Sequence, residues 1–167
     1  MESISALLTW LETAQLSLFI RESAWALPVI EAVHVIALAL VVGTIAIVDL
    51  RLLGLASVER SVTGLCREVL PWTWGAFVLA VIAGALMFAS NANEYFGNIA
   101  FRVKLLILAA AGINMLVFQM VAYRGVATWD RDAALPLPAK IAGAVSLTCW
   151  IGVVFFGRWI GFTMSPS

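Results

Sequence analysis

The stretch WALPVIEAVHVIALALVVGTIAIV, Trp25 to Val48, decides the fold. It is apolar throughout apart from Glu31, His34 and Thr44, and at about 1.5 Å of rise per residue it is long enough to cross ~30 Å of hydrocarbon as one helix. Pro28 falls in its first turn, where a missing N–H does no harm. Three more segments meet the same length test: about Pro71–Ser90, Ala100–Ala122 and Ala139–Phe162. Pro71 reads as a first-turn proline of the second span, with Cys66 in a short loop before it. Pro136 and Pro138 close the loop before the fourth.

Composition agrees. The chain is 63% hydrophobic and 12% charged, against roughly 45–50% and 25% for a soluble domain. Its mean hydropathy is +1.02. At 167 residues it reads as one membrane domain, 1–167. Residues 1–22 carry Ile4, Leu7, Leu8, Leu11 and Leu18 at helical spacing, with Trp10 as an interfacial anchor. They lack the basic start of a secretory signal, carrying Glu2 and Glu12 instead. Without a basic face, this segment is expected to pack on the protein. The expected fold class is all-α: an integral membrane four-helix bundle preceded by an N-terminal amphipathic interfacial helix.

A net charge of zero offers no field for nucleic acid; the expected surroundings are a lipid bilayer. Arg51, Arg60 and Arg67 fall between spans one and two, and Arg124, Arg131 and Lys140 between three and four. Glu2, Glu12, Glu22 and Glu94 lie on the opposite side. The positive-inside rule then puts both arginine loops in the cytoplasm of a bacterial inner membrane, with both termini periplasmic. Trp25 and Trp159 fall at the outer interface, Trp72 and Trp74 at the inner one. The small residues Ala76, Ala80 and Gly84, and Gly157 with Gly161, read first as helix-packing stripes. Dense small residues and short loops suit a homo-oligomer or a subunit of a larger membrane complex. Cys66 and Cys149 lie at different depths and read as free thiols.

Ionisable groups inside hydrocarbon are costly and therefore candidates for function. His34, the single histidine, lies about 13 Å along the first span from Trp25. Glu31 is one turn away on the same face. Arg102 and Lys104 open the third span and Arg158 stands near the end of the fourth, so all five share the outer half of the membrane. Asn114, about mid-span on the third, is the remaining polar candidate. A neutral imidazole is a good haem-iron ligand, and haem b is flat enough to lie between helices. His34 would be the metal ligand. Arg102 and Arg158 could hold propionates, with Lys104 steadying them or completing the site, and Glu31 could orient the imidazole or take a proton. The sixth position would be open, or filled by Lys104, Met115 or His34 of a second copy. Copper is a weaker fit, because Met87, Met115, Met120 and Met164 are scattered. Quinone binding is a further option. HExxH, GxSxG and P-loop motifs are missing from the sequence.

Three stretches carry a resemblance: Glu31-Ala-Val-His34-Val-Ile-Ala with Gly43 and Asp49-Leu-Arg51-Leu; Trp74-Gly75 through Gly84; and Phe101-Arg-Val-Lys104-Leu-Leu. Together they resemble the four-span haem-binding membrane proteins typified by HemJ-type protoporphyrinogen oxidases and copper-resistance CopD-like proteins. The resemblance implies His34 as an axial haem ligand and Lys104 as an essential lysine. The chain departs from that pattern by lacking a tryptophan shortly after the histidine and by one residue in the arginine spacing. It is also similar to bacterial four-span membrane proteins without an assigned activity. The leading expectation is a haem b protein passing electrons between an outer-face partner and quinone. The alternatives are a protoporphyrinogen oxidase-like enzyme, and a non-catalytic anchor or scaffold subunit.

Overall fold

A computed structural model describes residues 2–131 and 135–164; the ends of the domain 1–167 and of the helix expected from residue 1 lie outside them. All regular structure among the described residues is helical: α1 Glu2–Thr13, α2 Gln15–Glu22, α3 Ala26–Leu53, α4 Val62–Ser90, α5 Ala92–Gly97, α6 Ile99–Val121, a 3-10 turn Tyr123–Thr128, and α7 Leu137–Thr163. Four of these, α3, α4, α6 and α7, are long and apolar enough to cross a membrane. In hydrocarbon each backbone N–H and C=O needs a partner within its own segment, and a helix supplies it. Packing runs α4 on α3, α3 on α7 and α7 on α6, which leaves α4 and α6 as the two edges of the bundle.

Much of the surface is apolar, as a lipid-facing bundle requires. Trp25 and Trp159 are exposed at the end of the bundle where α3 begins and α7 finishes, and Trp72 is exposed toward the other. The N-terminal segment differs from the single helix expected of it. It is two helices, with an extended Ala14 between them, bent by 59°. Leu8, Ser17 and Ile20 are buried, and α1 and α2 pack against α3, α4 and α5. Glu12 accepts hydrogen bonds from Asn93 N (2.8 Å) and Nδ2 (2.7 Å), which satisfies an orphan amide of the short α5.

The second helix begins earlier than its hydropathy indicates. Arg67 and Glu68 interrupt the apolar run without interrupting the helix, so Pro71 lies well inside α4 and Cys66 is a buried helical residue, not a loop one. Two caps set the true start. Ser61 Oγ accepts from Gly64 N (3.2 Å). From the far α6–α7 connection, Asp130 accepts from Thr63 N and from Thr63 Oγ1, both at 2.7 Å, while its carbonyl accepts from Val62 N. Burial alone would push the Asp130 carboxyl up; the Thr63 bonds, Arg131 and the Val62 amide outweigh it and hold the carboxyl below the usual range. A lowered folded-state value means stability present above the ordinary carboxylate range and lost as pH falls through the lowered one. Asp130→Ala is therefore expected to cost about 1–2 kcal/mol at neutral pH, the worth of a helix cap. Thermal melts in detergent should show that deficit shrinking below the carboxylate range; an unchanged melt would show that the cap contributes nothing.

At the same end, α3 stops at Gly54, whose φ of 75° is the left-handed conformation that suits glycine as a helix terminator. Arg51, in the last turn of α3, is fully buried and donates from Nε to the Arg60 carbonyl (2.8 Å). It is a brace for the loop and not one of its solvent-facing charges; Arg60, Arg67, Arg124 and Arg131 are the exposed ones.

Candidate functional site

His34 projects from α3 onto α4. Its Nδ1 lies 2.8 Å from the Ala80 carbonyl oxygen. A carbonyl only accepts, so Nδ1 carries the proton, and a neutral ring keeps its lone pair on Nε2. Room for the imidazole comes from Gly84, one turn beyond Ala80: a Cβ there would stand 3.0 Å from His34 Cε1 and 3.4 Å from Nδ1. Ala76 and Ala80 are buried beneath. The small-residue stripe of α4 is thus the groove that receives α3 and its histidine.

Lys104 approaches from the other pair of helices. On α6, its stem lies over Gly157 of α7, where a Cβ would sit 3.6 Å from Nζ. No hydrogen bond or ion pair of Lys104 is found among the described residues. It lies within electrostatic reach of His34, as does Glu31. Glu31 is exposed on α3 and also faces Tyr95 of α5. Burial, then the carboxylates of Glu31 and Glu94, push the Tyr95 phenol above its usual range. Tyr95 packs with Phe88 and Phe101, at ring separations of 6.3 and 5.4 Å, as an aromatic lid at this end of the bundle. Tyr95 sits outside every apolar run and carries no local sign of this role in the sequence.

The other expected members do not join this group. Arg102 is exposed and donates from Nε to the Phe96 carbonyl (2.9 Å), with its guanidinium 5.7 Å from the Phe96 ring. It satisfies carbonyls at the end of α5 and does not pair with Glu31. Arg158 is exposed with its guanidinium 5.5 Å from the Phe162 ring, so it snorkels along its own helix. Asn114 donates from Nδ2 to the Ala142 carbonyl (2.9 Å), tying α6 to α7 deeper in the bundle. Of the six residues read as one site, the structure brings together His34, Glu31 and Lys104.

Asn114 belongs to a second place. A cavity of about 400 Å³ lies between the edge helices α4 and α6, backed by α3 and α7, toward the arginine-loop end. Asp49 and Ser146 stand on its back wall and Trp74 and Gly112 at its rim. Thr73, also on its wall, donates to Thr44 Oγ1 (2.8 Å) and so joins α4 to α3. In the sequence Asp49 stands at the end of an apolar run, within the first stretch of the resemblance, and outside the expected site. Its neighbours come from three other helices, a juxtaposition without local spacing.

Residues 4–163 match a family of unknown function, DUF6644. The chain belongs to that family. No curated protein matches the DUF6644 chain, and no solved structure does.

Among the described residues of this DUF6644 protein, no three His, Cys, Asp or Glu side chains gather to hold a metal ion. A bare ion therefore finds no ready ligand shell there. A metal carried in its own macrocycle asks less: one axial imidazole, neutral, in a fixed tautomer, with its other nitrogen hydrogen-bonded. The Ala80 carbonyl meets the last two of these conditions for His34: it holds Nδ1–H and so sets which nitrogen is left for a metal.

Proposed function

We propose that this protein binds haem b in the half of the bundle where α3 begins, with His34 Nε2 as axial ligand, and passes electrons between a partner at that face and quinone. The observation that supports it most is the His34–Ala80 hydrogen bond. Donation from Nδ1 to a carbonyl fixes the tautomer, orients the ring and raises the basicity of the free nitrogen, the usual outer support of a metal-binding histidine. Bound haem would supply a one-electron carrier. Lys104, from the opposite helix pair, would complete the site or neutralise charge on the group, and Glu31 and Tyr95 would hold a proton. Arg102 and Arg158 are exposed at this end, where a propionate edge would meet water, and would have to leave their present partners to reach it. The reading includes the orientation that the exposed arginines favour: loops cytoplasmic, termini periplasmic, in a bacterial inner membrane, within a homo-oligomer or larger complex.

A second reading has its own support in the same contact. An imidazole seated against Gly84 and bonded to Ala80 also serves as a polar staple between α3 and α4, and the protein would then be an anchor subunit. One measurement separates them. Protein purified in mild detergent is expected to give a b-type reduced-minus-oxidised spectrum that disappears in His34→Ala. A wild type produced with ample haem supply and showing no such spectrum would remove the haem reading and leave the staple.

A further inference from the structure

We infer that the cavity between α4 and α6 is a binding site for the ring of a quinol-class lipid, separate from the His34 site. Three observations carry it. Asp49 lies on its wall with only 4% of its surface exposed, and its Oδ2 has no hydrogen-bond partner among the described residues. A buried carboxyl oxygen left unpaired is costly and needs an explanation. Ser146 beside it already hydrogen-bonds the carboxyl, so the remaining oxygen is the free one. Next, Asn114 lines the same cavity with one N–H of its amide on the Ala142 carbonyl, and its oxygen is an acceptor. The Asp49 and Asn114 oxygens thus stand as acceptors on the wall, and a ligand that brings O–H donors fits them. The walls, finally, are apolar and aromatic, with Trp74 and Trp150 among them, and the cavity lies between helices that do not pack on each other. Its ligand would enter sideways from lipid.

A flat ring with hydroxyl donors and an apolar tail matches all three observations. That the ring is redox-active, and not merely hydroxylated, rests on the haem reading above. The site itself does not.

Tryptophan emission of the detergent-purified protein gives the test, because Trp74 and Trp150 lie on the cavity walls. Titration with decylubiquinol is expected to quench saturably. Oxidised decylubiquinone, without donors, should bind more weakly, and 1-dodecanol should not compete. Gly112 lines the cavity where a Cβ meets nothing within 4 Å. Gly112→Phe should therefore fold normally by circular dichroism, fill the space and weaken quinol binding about tenfold or more. Asp49→Asn, which keeps the shape, should weaken quinol more than quinone. Quinol binding undiminished in Gly112→Phe, or displaced equally by dodecanol, would overturn the site. Binding without any haem spectrum would retain the site and sink the haem reading, whereas a haem spectrum without binding would do the reverse.

Discussion

Gly143→Leu is expected to yield almost no folded protein in mild detergent, and Gly143→Ala to melt clearly below the wild type. Gly143 is buried on α7 where that helix crosses α3. A Cβ there would stand 3.0 Å from the Asp49 carbonyl oxygen and 3.0 Å from Leu52 Cβ. Neither atom is the loose end of a side chain, so relief requires the helices themselves to separate. Alanine gains about 1 kcal/mol over glycine in a helix interior, whereas overpacking a close contact costs about 1–3 kcal/mol; the loss outweighs the gain. Leucine multiplies the clash against a total stability of only about 5–15 kcal/mol. Gly75→Ala is the control, since a Cβ there meets nothing within 4 Å. It should melt at or slightly above the wild type. Size-exclusion profiles and thermal circular dichroism of the three variants decide it; a Gly143→Leu protein that elutes and melts like the wild type would mean that α3 and α7 are not this close. Because the contact partner is the backbone of Asp49, Gly143→Ala should also disturb the α4–α6 cavity.

The bundle was legible because hydrocarbon imposes one rule on every residue of a span. Trp25–Val48 could be read as a crossing helix from length and polarity alone; α3 and α7 extend the expected spans by only a few residues, and α6 is shifted by one. The start of α4 was not legible in this way. Its first turns lie outside the apolar segment, and their cap, Asp130, comes from a connection far along the chain. The break at Ala14 escaped for a related reason: a periodic apolar face continues across a bend. Within the candidate site, depth and sign of charge were enough to group His34 with Glu31 and Lys104, which lie within its electrostatic reach. They also admitted Arg102 and Arg158, because depth does not say which way a long side chain turns, and both turned to groups on their own segment. Asn114 was grouped by polarity and separated by packing.

Gly84→Val is expected to abolish the His34-dependent haem spectrum as completely as His34→Ala does, although the histidine is still present. The imidazole occupies the place that a side chain at 84 would take: Cε1 at 3.0 Å, Nδ1 at 3.4 Å and Nε2 at 3.9 Å from a Cβ there. A branched side chain would force the ring out and break the 2.8 Å bond to Ala80, which sets both tautomer and direction. Gly84→Ala, a smaller push, should weaken or shift the spectrum without removing it. Stability adds a check that holds under either reading of His34. In the wild type, Gly84→Ala should be destabilising, because the shift of the ring strains a buried hydrogen bond worth about 1 kcal/mol and crowds the α3–α4 contact. In a His34→Ala background the ring is gone, and the same substitution should become stabilising by up to about 1 kcal/mol through helix propensity. A sign reversal in this double-mutant cycle would establish that His34 and Gly84 are coupled by direct packing. Equal effects in both backgrounds would place the imidazole elsewhere, and with it the axial ligand.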